Sequence, residues 1–229
     1  MKPLLLALAI ISLTFAQQSP APAPPPQPRN PAEMPAHDRH EGMVIAADPC
    51  LDAQKSKTLF GKKDPYDAGI LALEVFIKNE TPQPARVDLS TVRLEVPLPD
   101  GGSQKLESLK PREVATLIVY PAGAPNPSNG RRLPGGIVVP LHDKKVDQVS
   151  EEIRPRAFDA DIIPPLATIH GYLFFNLGHD FKLAADSTLY LPDIKIIPGN
   201  KLLMFFEVPL APAITQTPAA PATPPATSP

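Results

Sequence analysis

The chain has 229 residues, 22 Lys/Arg against 24 Asp/Glu, and a formal charge of −2. No stretch of it is dense enough in Lys/Arg to compete for phosphate backbones or anionic lipid, so nucleic acid is excluded as an expected partner. The single cysteine, Cys50, excludes an intramolecular disulfide. In an oxidising compartment that leaves a buried thiol, which is the expectation, or one linked to a partner.

In chain order, Lys2 gives a short basic start, residues 4–13 an apolar run, and Thr14-Phe15-Ala16 a small-residue end. These are the three parts of a secretory signal, with cleavage expected near Ala16. The run falls short of the roughly 20 apolar residues that span a bilayer as a helix. Cys50 lies too far downstream to carry a lipid anchor, so the expectation is a protein that is exported, periplasmic or extracellular, and soluble after cleavage.

Nine of the 33 prolines lie in residues 1–35 and seven in 209–229. Residues 17–39 therefore read as a Pro/Ala-rich linker and 210–229 as a Pro/Ala/Thr-rich tail, both too poor in large apolar groups to offset ordering entropy. The domain is expected over 40–209.

Within it, Leu71, Leu73, Val75 and Ile77 form one wholly apolar parity while Glu74 interrupts the other, which predicts a central strand over 70–77. Asn79-Glu80-Thr81-Pro82 supplies turn chemistry. From 86 to 96 the alternation slips phase, from Val87 and Leu89 to Val92, Leu94 and Val96, which predicts a bulge or corner near Ser90. Further strands are predicted over 168–175, 188–197 and 202–208, the last with Leu202, Met204, Phe206 and Val208 on one face.

Two segments carry helical spacing. Pro111 followed by Val114, Leu117 and Ile118 predicts one short helix, and Val146, Val149 and Ile153 after Asp143 predict a second that stops before Pro155. The proline- and glycine-rich stretch 120–136 reads as a surface loop, and 106–165 as an insertion. The fold class is thus mainly β: an immunoglobulin-like antiparallel β-sandwich of about seven strands with an inserted loop and two short helices.

The strand ending at Asn79, Thr81 with its proline-bearing turn, Val87-Asp88-Leu89, and the later strand Ile169-His170-Gly171-Tyr172-Leu173-Phe174-Phe175 together resemble uncharacterised exported bacterial proteins with immunoglobulin-like β-sandwiches. The resemblance spans residues 40–208. It implies fold and export, carries over no catalytic residue, and leaves activity open.

Met34, His37, His40 and Met43 stand at three-residue intervals, and imidazole and thioether suit copper. Arg131 and Arg132 follow Asn129-Gly130 on the loop, where paired guanidinium donors suit a partner's carboxylate or phosphate. His170, His179 with Asp180, and the Asp159/Asp161 pair are further positions at which a site is conceivable. Each also has a plain structural reading as strand, turn or countercharge to Arg154 and Arg156. Asn79-Glu80-Thr81 fits a glycosylation acceptor pattern.

No local signature of a hydrolase, zinc protease, phosphate loop or Cys/His enzyme occurs. The leading expectation is an exported non-enzymatic binding or structural module of the cell envelope, with no cofactor. The alternatives are an extracytoplasmic copper-binding protein using Met34, His37, His40 and Met43, and a hydrolase with a site around His170 and His179.

Overall fold

The computed structural model describes residues 29–98, 100–121, 130–132, 138–140 and 143–215. The segment 1–16 expected to be a signal, most of the expected linker and the expected tail beyond 215 lie outside the described residues. Among those described, the chain is mainly β: three four-stranded antiparallel sheets, a two-stranded hairpin and a few short helices, in a sandwich-like arrangement. The described residues form fourteen strands rather than about seven, partly because long strands read from the sequence break at corners and continue in a second sheet, and partly because short strands form where none was expected.

The first sheet holds β1 (His37–His40), β2 (Met43–Cys50), β3 (Ile70–Asn79) and β10 (Thr168–Asn176), in the order β1-β2-β3-β10. The second is ordered β14-β11-β5-β6, from β14 (Phe206–Pro209), β11 (Thr188–Leu191), β5 (Arg93–Pro97) and β6 (Ser103–Glu107). The third is ordered β13-β12-β4-β9, from β13 (Lys201–Leu202), β12 (Ile194–Ile196), β4 (Ala85–Val87) and β9 (Ile162–Ile163).

The predicted corner near Ser90 is where β4 leaves one sheet and β5 joins the other. Asp88 forms it by accepting at Oδ1 from the Ser90 amide (3.0 Å) and hydroxyl (2.6 Å). The predicted strand 188–197 is likewise divided, into β11 and β12. The single apolar face expected over 202–208 does not form: Leu202 and Met204 are exposed, Leu203 is buried, and only Phe206 and Val208 keep the expected side. Residues 203–205 carry the chain between two sheets, and that change of direction breaks the parity.

β3 is central, and both of its faces are covered. Leu71, Leu73, Val75 and Ile77 meet Leu94, Leu189, Ile194, Phe206 and Val208 of the second layer. On the other face, Ile70 and Ala72 with Cys50 and Phe174 pack under α2 (Pro111–Val119) and α3 (Lys144–Ile153). This double burial explains the near-continuous apolar run of β3.

Both predicted helices form. Glu113 accepts at Oε2 from the Lys110 amide (2.8 Å), with Pro111 in the first turn. Asp143 caps α3, and its Oδ2 accepts from the Tyr120 hydroxyl (2.6 Å), tying the end of one helix to the start of the next.

Several described elements fall where no strand or helix was expected, β2, β6 and β9 among them. β1 lies in the stretch read as linker, so ordered structure begins before residue 40. The helices α1 (Ala53–Phe60), capped by Asp52, and α4 (Ala211–Thr215), inside the expected tail, are also unexpected. No helix among the described residues is long and apolar enough to cross a membrane.

Candidate functional site

At one side of the sandwich β1 packs against β14 and closes the gap between layers. At the other, the edge strands β10 and β6 part, leaving a groove of about 1440 Å³. Its floor is apolar: Leu173, Phe158 and Leu106 from the sandwich core, Tyr172, Phe174 and Leu109 from the helix side. Its rim is charged, with Arg86, Lys105 and Lys195 set among Asp88, Asp161 and Asp193.

Two straps bridge the opening, because the outer edge of β10 needs hydrogen-bond partners. The Phe158 amide donates to the Tyr172 carbonyl (2.9 Å), and the Leu109 amide to the Phe174 carbonyl (2.8 Å). β6 is different. It ends the second sheet, its residues are mostly exposed, and no described backbone group pairs with its outer edge.

Cross-strand register places a polar row beside the groove. Asp48, Glu74 and Tyr172 stand opposite one another on β2, β3 and β10, just beyond the part of that face covered by helices. Arg29 closes over the row: Nη1 donates to Asp48 Oδ2 (2.6 Å), Nη2 bonds Glu74 Oε2, and the guanidinium lies 4.8 Å from the Phe76 ring centre. Burial, aided by the Glu74 charge, pushes the Tyr172 phenol well above its usual range. Arg29 also helps form a second hollow of about 430 Å³ with Met34, Asp48 and Ala213.

The positions singled out from the sequence do not assemble. Met34 is buried with Ala46 and Phe76, whereas Met43 is fully buried in the main core. His37 Nδ1 lies 2.7 Å from the Met34 carbonyl, and His40 stacks on Phe206 at 3.8 Å. His40 and Met43 are cross-strand partners and His37 lies beside Met34, but Met34 and Met43 are buried on opposite faces of the sheet, so the four side chains expected to share a copper ion do not meet at one point. Among the described residues no three His, Cys, Asp or Glu side chains converge as metal ligands.

His170 and His179 are likewise apart. His170 is 60 % exposed, lies 3.3 Å from Glu74 Oε1 and stacks on Phe76. His179 sits past the far end of β10 against Gly69, roughly 20 Å away at about 3.3 Å per strand residue. The two arginines near Asp159 and Asp161 turn elsewhere, Arg154 to Glu151 (2.9 Å) and Arg156 over the Phe60 ring. Arg131 and Arg132 stand on β7 (Gly130–Arg132), opposite Val139 and Val138 of β8 (Val138–Pro140). The grip expected of their side chains lies outside the described residues.

Cys50 is 2 % exposed, and burial raises its thiol above the ordinary value. A thiol reagent is therefore expected to modify Cys50 in denaturant and leave it untouched in buffer. Rapid labelling of the folded chain would show that the face under the helices opens.

At one end of the sandwich, Glu41 joins two loops by accepting from the Met204 amide (2.6 Å) and pairing with Lys201 (3.3 Å). The Met204 amide, then Lys201, hold its carboxyl below the usual value of 4.5. A depressed carboxylate stabilises the fold fully above the unfolded pKa, and that contribution disappears as pH falls through the folded value. The urea midpoint is thus expected to fall below about pH 4.5. Glu41→Gln should flatten that limb, and an unchanged acid limb would show that Glu41 contributes nothing.

Neither the groove nor the polar row was legible in the sequence. Their residues are drawn from the 86–90 corner, β6, the 157–161 strap, β10 and β12, which only the sheet pairing brings together. The signals were slight: Glu74, which interrupts one face of its strand, and Gly171 within an apolar strand.

No family model matches the chain, and no curated protein matches it. One solved structure, the crystal structure of a functionally unknown protein from Listeria monocytogenes EGD-e, is similar at 13 % identity. It covers 68 % of each chain with a TM-score of 0.31. Similarity at that level carries no argument about either protein.

Proposed function

We propose that this chain is exported and acts as a non-enzymatic binding module of the cell envelope, with its partner seated in the groove between β10 and β6. The observation that carries the reading is the groove itself: an apolar floor open at a sandwich edge, rimmed by charges of both signs. Concave apolar sites with a few polar groups are where proteins hold ligands. The amino-terminal pattern of Lys2, the apolar run 4–13 and Ala16 supports export, as does the resemblance to exported bacterial immunoglobulin-like sandwiches. The separation of His170 from His179 and the burial of Cys50 support a binding rather than a catalytic role.

Site-specific photo-crosslinking in intact cells tests this. A probe at Lys105, on the groove rim, is expected to capture an envelope component, and a probe at exposed Lys182 is not. Identical adducts from both positions, or none from Lys105, would remove the groove as the binding surface. Mass spectrometry of the exported chain, expected to begin at Gln17, tests the export step.

A further inference from the structure

We infer that the free edge of β6 seats a second copy of this chain: two β6 strands pair antiparallel about a two-fold axis at Leu106, joining the second sheets of two protomers into one. The pairing goes beyond the envelope partner of the groove, since it uses the backbone groups of the edge and not the apolar floor.

Three observations lead to it. The first is the edge. In the β5–β6 ladder the Leu98 amide donates to the Gly102 carbonyl (2.8 Å), which fixes the alternation, so Gln104 and Leu106 turn their backbone groups to Val96 and Leu94 of β5. Ser103, Lys105 and Glu107 therefore turn theirs outward, where no described backbone group meets them. Two devices that block edge pairing are missing: residues 103–107 contain no proline, and their register with β5 runs without a bulge.

The second is charge. On its solvent-facing side β6 presents Lys105 and Glu107, opposite in sign. Glu107 stands opposite Arg93, but that guanidinium is taken by Glu95 (3.0 Å) and lies over the Tyr190 ring (4.2 Å). Among the described residues Glu107 has no cation within ion-pair distance, and Lys105 reaches only Glu95, at 3.8 Å. On the other side of the strand, Leu106 packs half-buried against the main core.

The third is self-complementarity. Setting Leu106 opposite its own copy places Lys105 opposite the second copy's Glu107, and Glu107 opposite the second copy's Lys105. Both positions turn their backbone groups outward, so each pair exchanges two hydrogen bonds as well as opposite charge. The two Leu106 side chains meet on the core-facing side as a close, non-hydrogen-bonded pair. Registers centred on Lys105 or on Glu107 would set like charges face to face. A surface that matches i to j and j to i is what a two-fold dimer requires. An unrelated partner would have to supply this pattern, whereas a second copy carries it.

Sedimentation of the full chain over a concentration series tests this, and the wild-type chain is expected to pass from monomer to dimer as concentration rises. Lys105→Glu and Glu107→Lys each turn both ion pairs into like-charge pairs, and each alone should weaken dimerisation by about tenfold. An equimolar mixture of the two should recover it as a heterodimer, and the double variant should recover it within itself. Both positions are exposed, so unchanged thermal unfolding will show that the variants are folded. In the wild-type dimer, amide exchange should slow at Lys105 and Glu107 and stay unaltered at Gln104 and Leu106, already bonded to β5. A chain that is monomeric throughout the series overturns the inference. So does a dimer that both variants leave intact, or one that mixing the variants fails to restore. The photo-probe at Lys105 separates the two surfaces: an adduct of twice the chain's mass reports the second copy, and an envelope adduct reports the groove. Envelope capture by a chain that stays monomeric removes only the dimer, and a dimer without envelope capture removes only the groove's partner.

Discussion

Replacing Asn79 by alanine is expected to cost about 3 kcal/mol, the sum of buried carbonyls and amides left without partners. In a domain of this size that lowers Tm by about 6–12 °C. Asn79 is fully buried at the end of β3. Its Nδ2 donates to the carbonyls of Gln83 (2.7 Å), Pro164 (3.2 Å) and Ile163 (3.3 Å). Its Oδ1 accepts from the Thr81 amide (2.9 Å) and hydroxyl (2.7 Å). One side chain thereby fixes both the β3–β4 turn and the strap that leads through β9 into β10.

Asn79→Asp should be at least as damaging at neutral pH, since a carboxylate has no hydrogen to offer three carbonyls. Thr81→Val, which removes one hydroxyl, is expected to cost only about 1 kcal/mol. Thermal and urea unfolding of the three variants measures the series, and a Tm loss below about 2 °C for Asn79→Ala would show that water replaces the amide. The same geometry disposes of the acceptor pattern Asn79-Glu80-Thr81: in the folded chain the amide nitrogen it requires is buried and already committed to three carbonyls.

How much of this was legible depended on whether an element keeps one environment along its length. β3 is buried on both faces throughout, and its apolar run marked it at once. Pro111 and Asp143 marked the two helices because first-turn chemistry is local. β1 and β2 were missed for the opposite reason. Met34, His37, His40 and Met43 suggested a soft-metal segment, yet Met34 fills a small apolar cluster, His40 stacks on Phe206, and Met43 belongs to the main core. Pro49 and Asp48 further disguised β2, whose Asp48 is met by Arg29 from 19 positions away and by Lys55 at 3.4 Å. The 202–208 run failed because residues 203–205 turn between sheets, and periodicity carries no sign of a change of sheet. The groove is a product of such changes, which is why it had no signature in the sequence.

Gly171→Ala is expected to cost about 2–3 kcal/mol through overpacking, and to do so by prising one strap off the groove. A Cβ at this position would lie 2.7 Å from Phe158 Cα and 2.9 Å from its amide nitrogen, closer than side-chain carbons approach backbone. Gly171 faces the sandwich core opposite Val75 on β3, so the Phe158 strap can cross it only because no side chain intervenes. Moving the strap stretches the bond from the Phe158 amide to the Tyr172 carbonyl and withdraws the buried Phe158 ring from the core. The obstructing atoms are backbone, so truncating Phe158 does not relieve the clash. In the double variant with Phe158→Ala, the two costs should combine to less than their sum, because both act on one strap. Hydrogen exchange supplies a local readout: the Phe158 amide should lose protection well before β3 does. Unaltered protection at Phe158, or full additivity with Phe158→Ala, would mean that the strap does not depend on Gly171. Since the strap forms one wall of the groove, Gly171→Ala should also reduce the envelope adduct captured from Lys105 under conditions where the domain remains folded.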